Sequence, residues 1–249
     1  MIKISAVSYL NTKPFLHGLE LSPVANISLS LDMPSEVARK LLENEVDLGL
    51  IPVAVIPFLK EAHILPGFCI GADGPVESVK LYSQVPLTEI KTILLDYQSR
   101  TSVALARILA AELWNISPEW KKAEAGFEEN ISGNTAGVVI GDRTFTLNGT
   151  FKYEFDLSEE WKKLTGLPFV FACWVSNKPL PAEFIHEFSN SLEKGLNNIQ
   201  DVIGKESPKY LPFDVEFYLT KSLNLRLNKR GEAAIELFLE KLKQVLSHT

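Results

Sequence analysis

The 249-residue chain sets 25 lysines and arginines against 31 aspartates and glutamates, a net charge of −6, and is 46% hydrophobic. Its basic residues are scattered along the chain, where a nucleic-acid binder would gather them on one face or tail. No apolar run reaches membrane-spanning length, because Lys, Glu, Gly or Pro interrupts each one.

Strands alternate with helices through the first two thirds. Ile2 to Val7 is short, β-branched and followed by a polar loop, and Ile27 to Leu31 alternates serine with apolar residues. Pro34 to Glu45 reads as a helix, with Pro34 suited to the first turn and Val37, Leu41 and Leu42 as the apolar stripe. Asp47 to Ile51 is a short buried strand. This β-α-β order predicts an α/β sheet with parallel pairing. A strand-rich stretch follows from Phe68 to Ser83. Thr92 to Asp96 is a strand, Arg100 to Trp114 a long helix, and Ala136 to Ile140 and Phe169 to Val175 are further strands. After Asn177 the pattern turns helical: Pro181 to Ile203, a shorter segment near Val215 to Thr220, and Gly231 to Ser247.

One arrangement accounts for this order. Residues 1–89 with 172–249 form a first lobe and 90–171 a second, with the C-terminal helices packed on the first. Ligands of open α/β sheets sit beyond the carboxyl ends of strands, so the expected fold is a two-lobed, periplasmic-binding-protein-like (type II) α/β fold with an interlobe cleft and two short crossings as hinge. The N-terminus enters a strand pattern directly, without the apolar stretch and cleavage site of a signal peptide, which predicts a cytoplasmic protein. Cys69 and Cys173 each lie in an apolar run outside any CxxC motif and read as buried, reduced thiols.

No P-loop, GxGxxG, GxSxG or HExxH motif is present. His17, His63, His186 and His248 have no mutual ligand spacing, so no metal site is expected; His186 and His248 read as solvated. The informative segments are strand-to-loop junctions. Ser8 and Asn11 follow the first strand and precede a helix with Pro14 in its first turn. Asn11 and Thr12 either cap that helix, or the helix start binds a carboxylate with the Asn11 amide as donor and acceptor. Ser78 opens a strand after the Gly74-Pro75 turn, and turn satisfaction is its plain reading. Ser99, Arg100, Thr101 and Ser102 sit between a strand and a helix. They are caps or an anion cradle, and Arg100 favours the cradle, because a cation in the first turn opposes the helix dipole. Gly141 and Asp142 follow another strand, where Asp142 caps a helix or meets a substrate hydroxyl. The Trp161 to Trp174 stretch is a Gly-terminated helix leading into an apolar strand, core in its first reading, with Trp174 a second candidate for the cleft.

Taken in order, VSYLNTKPF from Val7, DLGLIPV from Asp47, DGPVESV from Asp73, SRTSVALA from Ser99, IGD from Ile140 and WKKLTGLPFVFACW from Trp161 resemble the MqnA family, the chorismate dehydratases of the futalosine route to menaquinone. The resemblance covers the chain to Trp174. The sibling dihydroxynaphthoate synthase opens with an SPCPND-like loop that is absent here. The resemblance implies conversion of chorismate to 3-[(1-carboxyvinyl)oxy]benzoate and water without a cofactor. It also implies that Asn11, Ser78, Ser99, Arg100, Thr101 and Asp142 line the site, with Asn11 and Ser78 acting in catalysis and Ser8, Ser102 and Gly141 beside them. The rivals are a non-catalytic small-anion binding protein and the naphthoate synthase on the same fold. The sequence leaves the oligomeric state open.

Overall fold

In the computed structural model, which describes residues 1–247, the strands are β1 (Ile2–Val7), β2 (Ile27–Asp32), β3 (Leu48–Pro52), β4 (His63–Ala72), β5 (Val79–Ser83), β6 (Thr92–Leu95), β7 (Glu119–Lys122), β8 (Thr135–Ile140), β9 (Tyr153–Asp156) and β10 (Phe169–Ser176). The helices are α1 (Lys13–Leu21), α2 (Pro34–Leu42), α3 (Thr101–Leu109), α4 (Thr144–Leu147), α5 (Leu157–Thr165), α6 (Ala182–Asn197), α7 (Ile199–Tyr210), α8 (Val215–Phe217) and α9 (Lys229–Ser247). His248 lies outside the described residues. Among the described residues no helix is long and apolar enough to cross a membrane.

The chain forms two compact units. One holds Met1–Gly71 and Val170–Asn228; the other holds Ala72–Phe169 and the helix from Lys229. These bounds differ from the lobes read from sequence. The second unit begins at Ala72, ahead of Ile90, because β5 pairs with β8 and β9. The last helix also belongs there, because α9 packs on α3, Phe238 meets Trp161 and Phe169 edge-on, and Lys241 pairs with Glu112.

The first unit carries a sheet of order β2-β1-β3-β10-β4. β1 runs parallel to β2 and β3, whereas β10 is antiparallel to β3, with Cys173 opposite Ile51. The second sheet, β7-β6-β8-β5-β9, is mixed in the same way: β6 is parallel to β7 and β8, and β5 is antiparallel to β8 and β9. The parallel expectation therefore holds for only part of each sheet. Parallel neighbours require a crossover connection; β5 and β10 are instead reached as the chain passes from one unit into the other. Two strands went unread, β7 and β9, both at sheet edges. EWKK is half-exposed to exposed along its length and lacks the apolar alternation that marks a strand.

Burial follows sheet position. β3 is buried throughout and β10 nearly so, and both are continuous apolar runs, while edge strand β2 is half-buried to exposed along its length. Phe15, Phe68, Trp174 and Phe188 form an edge-to-face cluster in the first unit, which makes Trp174 a core residue with no exposed surface. Here α1 packs against α6 with glycine at the contact on both helices. A Cβ on Gly18 would fall 2.0 Å from the Ser191 carbonyl oxygen, and one on Gly195 2.0 Å from that of Pro14. The helix read from Pro181 to Ile203 breaks at Asn198 into α6 and α7.

Candidate active site

The order β6-β8-β5 brings three separate segments to one edge of the second sheet. β6 and β8 are parallel, so Asp96 to Ser102 and Gly141 to Asp142 emerge at the same carboxyl edge. β5 runs the other way, which sets its first residues at that edge too. Ser78, Ser99, Arg100, Thr101, Ser102, Gly141 and Asp142 are thus brought together within one unit. The Gly141 N–H donates to the Ser78 carbonyl at 2.9 Å, extending the β5–β8 ladder by one pair. Gly141 has φ +72°, a left-handed conformation that a side chain resists.

The loop after β6 is shaped by Asp96, which is almost fully buried. Its Oδ1 accepts from the Gln98 N–H at 2.9 Å and its Oδ2 from the Ile140 N–H at 3.0 Å, and Arg143 pairs with Oδ2. Arg143 pairs with Glu128 as well and lies over the Tyr97 ring. Burial raises the Asp96 carboxyl's pKa; the Arg143 charge and the two N–H donors oppose it. This carboxylate therefore ties the junction after β6 to the junction after β8.

At the start of α3 the Ser99 hydroxyl accepts from the Ser102 N–H at 3.0 Å, so Ser99 is a cap. Accepting that bond leaves its own proton to donate. Thr101 and Ser102 are buried, whereas the Arg100 side chain is exposed beside the helix start, and no acidic residue occupies the first turn. The positive end of the dipole and the guanidinium together favour an anion there. α4 begins at Thr144 with Arg143 as its cap residue, one position beyond the half-buried Asp142.

Ser78 is buried at the start of β5, behind a strained residue: Glu77 has φ +66°. The buried Asp156 carboxylate holds this loop. Its Oδ2 accepts from the N–H groups of Val76 at 2.9 Å and Glu77 at 2.8 Å, while its Oδ1 caps α5 through Ser158 at 3.0 Å and Glu159 at 3.2 Å. Burial pushes the Asp156 carboxyl up to about 6 against the pull of these N–H donors.

Ser8 and Asn11 belong to the other unit, at the carboxyl edge of β1. Ser8 is exposed and its N–H donates to the Asp32 carbonyl at 3.2 Å. Asn11 lies half-buried in a 3-10 turn and accepts the Thr12 hydroxyl at 3.2 Å. Thr12, the residue before α1, makes no side-chain cap.

Sequence reasoning passed over Asp96, Arg143 and Asp156 as functional candidates. Asp156 had a readable signal, since an Asp followed three residues later by Glu159 is a helix-start signature. Nothing local marked the reach of Asp96 to Ile140 or of Asp156 to Val76.

A chorismate dehydratase of Thermus thermophilus is 29% identical over 221 residues, covering 80% of this chain and 79% of that protein. Among solved structures, a protein of Archaeoglobus fulgidus superposes with a TM-score of 0.78 at 15% identity, covering 100% of this chain and 98% of that one. A Candida albicans gene product with the generic periplasmic binding protein structural fold gives 0.62 at 13% identity, covering 98% and 89%. The two sheets and their mixed order are those of a periplasmic-binding-protein-like fold. With residues 2–244 matched by the family model for menaquinone biosynthesis, the chain belongs to that family.

Proposed function

We propose that the protein is a chorismate dehydratase, converting chorismate to 3-[(1-carboxyvinyl)oxy]benzoate and water. The observation that carries the reading is the loop cluster of the second unit, hydroxyls and an arginine at a helix start, in a chain whose Thermus relative bears that name. In the reaction the ring C–H beside the enolpyruvyl ether loses its proton and its electrons enter the ring. The neighbouring hydroxyl then leaves with its bonding electrons and takes up the abstracted proton, departing as water. Aromatisation makes the step downhill, so the protein's task is to direct which group leaves. Positioning and fixed dipoles supply that direction, and no cofactor is needed.

Ser99, Arg100, Thr101 and Ser102 are assigned to a substrate carboxylate, with Gly141 and Asp142 at the adjacent strand end. On the resemblance, Asn11 and Ser78 are assigned to orient the enolpyruvyl arm and the departing hydroxyl, with Ser8 as a substrate-binding residue. The substrate's own enolpyruvyl carboxylate is assigned as the base, with Asp142 as the alternative, since the other groups in these loops are amides, hydroxyls and a guanidinium. Incubation of the purified protein with chorismate should yield an aromatic product on chromatography, and Arg100→Ala should raise KM more than it lowers kcat. Binding of chorismate without turnover would replace this reading with that of a small-anion binding protein, and formation of a dihydroxynaphthoate from a later precursor with that of the sibling synthase.

A further inference from the structure

Asp156 is the last residue of β9, paired across the sheet with Lys80, and its carboxylate accepts four backbone N–H groups, two on each oxygen. One oxygen does ordinary work, capping α5. The other reaches nearly eighty residues back to Val76 and Glu77, where no helix or strand requires an acceptor. Between these N–H groups and Ser78 stands the only left-handed non-glycine residue of that loop, Glu77 at φ +66°. A side chain in this conformation costs roughly 1–2 kcal/mol, and such strain persists only where the surroundings over-determine it. The Glu77 side chain is secured too, its carboxylate 3.1 Å from Lys80 Nζ. A turn at Glu77 sets the direction in which Ser78 enters β5, and the Ser78 carbonyl in turn accepts from Gly141.

We infer that Asp156 is a positioning residue for the reaction, whose second oxygen holds Glu77 in its left-handed conformation and so fixes Ser78 and, through it, the Gly141–Asp142 turn. The inference rests on the dehydratase reading only for what Ser78 does, because the backbone restraint is independent of the substrate.

Asp156→Ser tests it, since serine still caps α5 but brings no second oxygen to Val76 and Glu77. Misplacing a reacting group by an ångström costs about 100-fold, so kcat/KM for chorismate should fall by about that factor, carried by kcat, because the carboxylate cradle at Ser99 to Ser102 is untouched. Adding Glu77→Gly removes the strain that Asp156 opposes, and the double variant should regain about ten-fold or more. Amide hydrogen exchange over residues 74–82 and 138–143 gives a readout without substrate. Exchange should quicken in Asp156→Ser, with helix α5 unchanged, and slow again in the double variant. Asp156→Asn provides a second variant that keeps the cap and turns an amide NH2 toward the two N–H donors; it should be at least as impaired. Unchanged exchange in the loop, or an equal loss with no recovery by glycine, would overturn the positioning role. An inactive wild type with the expected exchange pattern would sink the dehydratase reading and leave the restraint standing.

Discussion

Replacing Asp96 by alanine tests whether one buried carboxylate organises two of the three loops at the candidate site. The change strands the N–H groups of Gln98 and Ile140, and a buried donor left without its acceptor costs roughly 1–3 kcal/mol. It also removes one of two carboxylates from Arg143. Breaking a fully buried pair costs about 3–5 kcal/mol, but the Arg143 side chain is 29% exposed and keeps Glu128, so that part is discounted heavily. A total of about 3 kcal/mol follows if each N–H contributes near the lower end of its range. With a urea dependence of about 2 kcal/mol per molar for a unit of this size, the midpoint should fall by about 1.5 M at an unchanged slope. Three of the four tryptophans, Trp114, Trp120 and Trp161, lie in the second unit and report its unfolding. Asp96→Asn keeps a neutral acceptor and should cost less. A midpoint shift below about 0.3 M for the alanine variant would refute the claim that Asp96 bears this load.

Gly141→Ala should destabilise by about 1 kcal/mol, because its φ of +72° suits glycine, and should raise KM; a neutral thermal melt would argue that the turn relaxes. Asp142→Asn should retain measurable turnover, whereas Asn11→Ala and Ser78→Ala should lose most of it; abolished turnover with intact binding in Asp142→Asn would make Asp142 the general base. Burial raises the Asp32 carboxyl's pKa, but hydrogen bonds from Lys40, Ser5 and Ser30 overcome that and hold it below the ordinary 3.8. A lowered folded value contributes stability above the unfolded pKa and loses it as pH falls through the folded one. Asp32→Asn should therefore be less stable at neutral pH and show a flatter acid limb in thermal melts below about pH 4; an acid limb as steep as the wild type's would remove Asp32 from the account. Burial pushes the Cys69 thiol up to about 12 and Cys173 further, so a thiol-reactive disulfide should titrate both only on unfolding; prompt reaction in buffer would contradict their burial.

Much was legible because it is local. The β-branched run Ile2 to Val7, the proline-started helix at Pro34 and the apolar runs of β3 and β10 each carry their own period and punctuation, and each forms the element read from it. Junctions after β6 and β8 were legible as strand ends, since each apolar run stops at a polar segment that leads into a helix. Ser99 illustrates the limit. The sequence offered a cap or a cradle, and only the 3.0 Å bond from the Ser102 N–H shows that Ser99 caps the helix while its own proton stays available to a ligand. Edge strands β7 and β9 escaped notice because their pairing lies on one side only, so burial imposes no alternation on EWKK.

The sequence by itself determined the element types, the alternation that makes an α/β fold, and the place of the candidate residues at strand ends. Tertiary structure alone decided strand direction in each sheet, the division at Ala72, the docking of α9 beside α3, and which carboxylates matter. Asp96 and Asp156 act on N–H groups 44 and about 80 residues away, and local propensity is blind to such partners. A buried backbone donor must find an acceptor wherever the completed fold supplies one.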